Sequence, residues 1–259
     1  IAATYDGTTK RIYVDGNQEA QVSRSGTLTT NSTGSIIGAY NAGFPNYYFN
    51  GKIDDLRIWN DARTASEIQE YMHKEVASDA SGLVAYYKMS NGTGTSLTDN
   101  SSNSNTGTLT NMDNSDWVTS YAVIGDLSSS YKTDVEGIWS ISGTSASDAS
   151  DGLTMTVGSA LSTGNFAVFG NNNTSSSSTS DIGAVGSTSR TGRIWQVDES
   201  GTVAATIKID MSDATGVSGN TGTASNYRLL YRSGTSGDFS SVATGSSISG
   251  DVITFNSVS

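Results

Sequence analysis

The sequence predicts an all-β protein built from two sandwich modules, and three observations support this fold class. Hydrophobic residues make up 35% of the 259 residues, while glycine alone fills 29 positions. Short apolar runs alternate with turns rich in Gly, Ser, Thr and Asn, a pattern typical of short strands joined by many turns. One segment carries a helix signature. We therefore expect two β-sandwiches, the first of which includes one short helix.

The chain opens with a predicted hairpin. Two predicted strands, Ala2–Tyr5 and Arg11–Val14, flank a turn at Asp6-Gly7, and Asp15-Gly16 supplies a second tight turn. Further strands are predicted in this half of the chain at residues 35–39, 52–59, 82–89, 106–109 and 116–118.

The helix signature lies at Thr64–Glu67, where a threonine three residues before a glutamate forms a capping box. Ile68, Tyr71 and Met72 follow at helical spacing. We therefore predict a helix that ends near Val76.

A change in composition near Asp126–Ser130 predicts the boundary between the two modules. We assign residues 1–125 to the first module, 126–132 to a linker and 133–259 to a second sandwich, whose pattern stops mid-strand at Ser259. Seven short strands separated by turn signals are typical of such a sandwich. They are predicted at residues 137–141, 153–157, 166–169, 192–197, 202–210, 227–231 and 252–255.

Charge and composition exclude several classes of function. The net charge is −11 and the chain contains 14 Lys and Arg residues, so an acidic surface repels nucleic acid and anionic lipid. There is no cysteine, which excludes disulfides, thiolate catalysis and cysteine-based metal sites. No apolar stretch reaches 18 residues, so we expect no membrane insertion.

Several motifs occur in a familiar order in the first module. These are Ala3–Gly7, Ile12–Gly16, Ile37-Gly38, Phe49–Trp59 and Glu67-Ile68. Together they resemble the C-terminal part of laminin-G-like domains, which are concanavalin-A-like jelly rolls of secreted bacterial multidomain proteins. The resemblance implies a partial jelly-roll sandwich in residues 1–125. We expect the remainder of the parent chain, or another chain, to complete it, because an open half-core costs more than the stability of a domain.

The second module carries a weaker likeness. Gly192–Val197 and Tyr227–Tyr231 resemble β-sandwich repeats of adhesin-like surface proteins from Bacteroidetes. The two resemblances together imply a secreted or cell-surface location, and we expect no enzymatic activity. His73 is the single histidine, and no nucleophile motif lies near it, so we predict a surface histidine.

The resemblance also implies a structural calcium ion. In related jelly rolls an aspartate in the strand that corresponds to residues 52–59 often binds Ca²⁺ together with backbone carbonyls. The resemblance therefore implies Asp54 as a calcium ligand, and Asp55 as a second candidate. Calcium prefers six to eight hard oxygen ligands. Alternatively, Asp54 caps a turn or pairs with Lys52 or Arg57.

An aromatic loop is the predicted ligand-binding site. Tyr40, Phe44, Tyr47 and Tyr48 lie among Gly and Asn residues, and flat sugar faces stack on such rings. The alternative is that Tyr47 and Phe49 belong to the core and the other rings pack the loop.

These observations predict an adhesive or structural surface module that binds glycans or other surface polymers. Two other functions fit the same pattern: an accessory carbohydrate-binding module of a secreted polysaccharide-degrading enzyme, and a repeat unit of an extracellular filament or stalk. A catalytic domain elsewhere in the parent chain would favour the accessory carbohydrate-binding module.

Overall fold

The computed structural model describes residues 1–28, 34–40, 47–140, 142–148, 152–216 and 222–259. These ranges form an all-β fold, as predicted, with strands in several antiparallel sheets and two short α-helices. No helix within them combines the length and the apolar composition that a transmembrane span requires. The chain divides into two compact units. The first unit comprises Ile1–Gln69 and Val76–Ala122, and the second comprises Glu70–Glu75 and Val123–Ser259.

The strands of the first unit form a three-stranded meander, β1-β2-β3, and three two-stranded ribbons, β4-β5, β6-β7 and β8-β9. Helix α1 covers Ala65–Tyr71. The strands are β1 Ala2–Tyr5, β2 Thr9–Val14, β3 Asn17–Ser23, β4 Ala39–Tyr40, β5 Tyr47–Tyr48, β6 Leu56–Trp59, β7 Leu83–Tyr87, β8 Ser96–Leu97 and β9 Gly107–Thr108.

The first unit has a small apolar core. Ala85, Tyr87 and Leu97 are buried in it, and Leu56 and Ile58 of β6 pack against them. In contrast, one face of the meander exposes apolar side chains to solvent. Ile12, Val14 and Val22 share that face and are 42%, 38% and 58% exposed. The exposed face therefore lies in the segment with the clearest sequence motifs.

The capping box is confirmed, but the helix is shorter than predicted. The Thr64 hydroxyl accepts a hydrogen bond from the Glu67 amide at 3.2 Å, and the Glu67 carboxylate accepts one from the Thr64 amide at 2.8 Å. The helix ends at Tyr71 and not near Val76.

Three strand predictions in this unit need correction. The strand expected at residues 52–59 begins only at Leu56, because Asp55 has a left-handed backbone (φ 45°) that interrupts the extended chain. Within residues 35–39, only Ala39 belongs to a strand. Residues 114–116 form a 3₁₀ turn capped by the Asp113 side chain, so the strand predicted at 116–118 is absent.

The second unit is a β-sandwich. Its three-stranded sheet has the order β10-β13-β16, and its five-stranded sheet has the order β11-β12-β17-β21-β20. Helix α2 covers Met211–Thr215, and β14-β15 and β18-β19 form separate ribbons. The strands are β10 Thr133–Trp139, β11 Ser145–Ser147, β12 Leu153–Val157, β13 Phe166–Asn171, β14 Ser177–Ser178, β15 Arg190–Thr191, β16 Trp195–Ser200, β17 Ala205–Asp210, β18 Arg228–Tyr231, β19 Ser240–Thr244, β20 Ser247–Ser249 and β21 Val252–Val258.

The core of the second unit lies between these two sheets. Ile138 and Phe169 from the three-stranded sheet are fully buried together with Ile253 from the five-stranded sheet. Leu127 and Tyr131, from the segment predicted as a linker, are also buried within this unit. The predicted domain boundaries stay a prediction.

Candidate functional site

The aromatic candidates lie on the β4-β5 ribbon. Tyr40 pairs with Tyr47 across the two strands, and Ala39 pairs with Tyr48. The Phe49 amide donates a hydrogen bond of 2.9 Å to the carbonyl of Gly38, whose positive φ (77°) suits a glycine. We call residues 38–40 and 47–49 the aromatic ribbon. Phe44 lies outside the described residues.

The ribbon brings two tyrosine rings together in the open. The centroids of Tyr40 and Tyr47 are 6.4 Å apart and their planes are tilted by 32°. These side chains are 63% and 60% exposed, and the neighbouring Tyr48 and Phe49 are 69% and 59% exposed. Tyr47 and Phe49 are therefore not core residues of this unit, in contrast to the alternative considered from the sequence.

Such a pair can bind a flat ligand with an apolar face. Aromatic rings contribute contact area, and each phenolic hydroxyl adds a donor and an acceptor at the rim. Because two successive strand residues point to opposite faces, Tyr48 lies on the other side of the ribbon from Tyr47. The Tyr40–Tyr47 pair is thus a single two-ring platform.

Asp55, the second calcium candidate, is engaged within the protein. Its Oδ1 lies 2.6 Å from Arg57 Nε, and its Oδ2 accepts a hydrogen bond of 2.8 Å from the Tyr86 hydroxyl. Tyr86 is fully buried, and the Arg57 guanidinium lies 5.1 Å from its ring centroid. Burial, and then the Asp55 charge, raise the pKa of Tyr86 far above its usual value, so this hydroxyl remains a donor to Asp55.

Asp54 is partly engaged. Its Oδ1 accepts a hydrogen bond of 2.9 Å from the Asp55 amide, and its Oδ2 accepts one from the Ser120 hydroxyl. A carboxylate bound to its own turn in this way matches the turn-capping alternative. Asp54 itself lies outside strand β6, which begins at Leu56.

The donor set does not fit a calcium ion at Asp55, since Arg57 already neutralises this carboxylate. Across the described ranges, no group of three or more His, Cys, Asp or Glu residues is placed to hold a metal ion. Calcium at Asp54 stays a prediction.

His73 is not a surface residue, and that prediction was wrong. Its side chain is 4% exposed, its Nδ1 lies 2.9 Å from the Val123 carbonyl, and its ring lies 4.7 Å from that of Trp139. The sequence held no signal for this burial, because the residues that cover His73 are more than 40 positions away along the chain.

Comparison with known proteins finds two families. Residues 1–69 match the concanavalin A-like lectin/glucanases superfamily. Residues 127–259 match a family described as a domain of unknown function, DUF8202. No curated protein and no solved structure matches the chain. Because the second match spans more than half of the 259 residues, the chain belongs to the DUF8202 family.

Proposed function

We propose that the first unit binds glycans or related surface polymers, within an extracellular adhesive or structural protein of the bacterial surface. The observation that carries this proposal is the exposed Tyr40–Tyr47 pair on the aromatic ribbon. It lies in the segment that matches a lectin and glucanase superfamily.

The exposure of the ribbon supports a binding role. Contiguous exposed apolar surface is uncommon in soluble proteins and often marks a site of interaction. Four aromatic side chains of the ribbon are each about 60% exposed or more, so much of their surface is open to solvent. The aromatic ring faces and phenolic hydroxyls suit sugars, which carry both apolar ring faces and hydroxyl groups.

A second part of the proposal concerns the meander. Its apolar face, with Ile12, Val14 and Val22, supports the expectation that further strands cover it, from the parent chain or from another chain. The adhesive role and a non-catalytic character remain proposals of the same kind. The non-catalytic character draws support from the burial of His73, which keeps the single histidine from acting as an accessible base.

The experiment is a binding assay on the Tyr40→Ala/Tyr47→Ala variant. Immobilised neutral polysaccharides serve as ligands, and we expect the variant to bind about tenfold more weakly, which corresponds to about 1.4 kcal/mol for two stacking contacts. Tyr231→Ala is the matched control, because Tyr231 is a 55% exposed tyrosine of the second unit. Equal binding by wild type and the double variant would contradict the proposed site.

A further inference from the structure

A short segment at the end of helix α1 packs as part of the second unit. It comprises Glu70–Glu75, which we call the strap, and it lies outside both family matches. Its His73 and Lys74 are 4% and 5% exposed. A buried lysine beside a buried histidine in a six-residue segment is unusual, because charged side chains leave water only when partners compensate them.

The second unit supplies a close-fitting place for His73. The His73 Nδ1 lies 2.9 Å from the Val123 carbonyl oxygen, so the Nδ1–H tautomer donates a hydrogen bond to it. The ring lies 4.7 Å from the Trp139 ring, tilted by 58°. It also lies over Gly137, where a Cβ atom would be 3.5 Å from it. The imidazole is therefore held by a hydrogen bond to the Val123 carbonyl and by packing against the Trp139 ring and Gly137.

Lys74 is held through both its backbone and its side chain. The backbone of Lys74 pairs with Gly125 in a parallel β-bridge, and the Gly125 amide donates a hydrogen bond of 2.9 Å to the His73 carbonyl. The Lys74 ammonium donates to the Lys132 carbonyl at 3.1 Å and to the Glu70 carboxylate at 3.0 Å. These acceptors compensate the loss of water around the charge.

The residues of the second unit that contact the strap are Val123, Gly125, Lys132, Gly137 and Trp139, and we call this set the strap groove. Two of its carbonyls and one of its amides form hydrogen bonds with the strap. The backbone pairing is one isolated parallel bridge, Lys74 with Gly125. It resembles the first step of β-addition, in which backbone bonds set the register and side-chain contacts select the sequence.

We propose that the strap groove is a peptide-binding site whose occupant is the strap, Glu70–Glu75 of the same chain. The site selects a histidine followed by a lysine, through the Val123 carbonyl and the Trp139 ring for the first and the Lys132 carbonyl for the second. The functional second unit is then the 123–259 segment together with the strap, and residues 127–259 alone lack both the occupant and part of the groove.

The test uses the full chain with its own strap disabled. In the His73→Ser/Lys74→Ser variant the groove is expected to bind a labelled free peptide with the strap sequence, Glu-Tyr-Met-His-Lys-Glu. Wild type is expected not to bind it, because its groove is filled. A peptide with alanine in place of the histidine is the matched control and is expected to bind at least tenfold more weakly. A folded variant that binds neither peptide overturns the proposal.

A second measurement decides the question if that variant does not fold. Hydrogen exchange of the wild-type chain reports on the Gly125 amide, which donates to the strap. We expect this amide to exchange as slowly as those of strands β10 and β13. Exchange of Gly125 at the rate of an open loop, with β10 and β13 protected, overturns the proposal, because the strap would then not be seated.

Discussion

The two units differ in where they place their large apolar side chains. In the second unit Phe169 and Ile138 are fully buried between two sheets, whereas in the first unit Val22 and Tyr48 are 58% and 69% exposed. Yet the first unit carries the clearer sequence motifs. The difference teaches that a family signature records local turn and strand chemistry, while closure of a core depends on which other strands cover it.

The units also differ in how they shift the pKa of a buried carboxyl group. Asp99 of the first unit accepts four hydrogen bonds of 2.7–2.8 Å, from the amides of Tyr86, Ser101 and Asn105 and from the Ser101 hydroxyl. Burial alone would raise the pKa of Asp99, but these bonds outweigh it and hold the pKa below its usual value.

Asp148 of the second unit shows the reverse balance. It is 1% exposed, and burial raises its pKa more than the hydrogen bonds from Trp195 Nε1 (2.8 Å) and the Gly152 amide (2.6 Å) lower it. The nearby charge of Asp134 raises the pKa further. One unit thus stabilises a buried charge, and the other disfavours it.

The largest expected effect tests the contrast in apolar burial. Phe169→Ala is expected to lower the free energy of unfolding of the second unit by about 3–5 kcal/mol, because it opens a cavity in a closed core. Phe49→Ala, at a 59% exposed phenylalanine of the first unit, is expected to cost less than about 1 kcal/mol. Hydrogen exchange resolved by peptide measures each unit separately. An equal loss of unfolding free energy in the two variants would contradict the difference in apolar burial between the units.

The next effect concerns Asp99. Asp99→Ala is expected to destabilise the first unit by about 1–3 kcal/mol, since it leaves buried donors without an acceptor. Because the folded-state pKa is lowered, this stabilisation is present above pH ~4 and is lost as the pH falls through the folded pKa. Denaturant unfolding between pH 7 and pH 2 measures it, and the exposed Asp79→Ala serves as control. A variant with the wild-type acid dependence would exclude Asp99 as the cause.

A smaller effect is expected at the helix cap. Thr64→Ala removes the hydroxyl that accepts from the Glu67 amide and is expected to cost about 1 kcal/mol. Thr64→Ser keeps the hydroxyl and is expected to remain within about 0.5 kcal/mol of wild type. Amide exchange within helix α1 measures the difference, and an unchanged helix in Thr64→Ala would show that packing alone holds it.

The smallest expected effect concerns Asp148, whose contribution to stability changes with pH in the direction opposite to that of Asp99. Because the folded-state pKa of Asp148 is raised, the folded state binds this proton more readily than the unfolded chain. Its contribution to the stability of the second unit therefore grows as the pH falls from neutral toward ~4. Asp148→Asn is expected to flatten this dependence in exchange measurements on strands β12 and β13. A slope equal to that of wild type would assign the effect to another group.

The strands that sequence reasoning located best are those with strict alternation. β12 was predicted with its observed bounds, Leu153–Val157, because Leu153, Met155 and Val157 face the core and two threonines face away. The Ser-rich strands β11, β19 and β20 were not predicted, since their register comes from neighbouring strands and not from apolar periodicity.

The candidate site was predictable in its residue types but not in its geometry. The loop composition indicated Tyr40 and Tyr47. Their pairing across two strands depends on the strand register, which cannot be deduced from the local sequence. The burial of His73 and the pairing of Asp55 with Arg57 and Tyr86 depend on long-range packing, which local patterns do not record.

The strap has a consequence at the level of genes. The codons for Glu70–Glu75 and those for Val123–Ser259 encode one packed unit, yet the codons of Val76–Ala122 stand between them. A recombination event that moves the DUF8202 segment into another gene as one contiguous cassette would therefore leave the strap behind. We expect fusions that survive selection to retain the whole stretch from Glu70 onward, or to supply a histidine-containing substitute of their own.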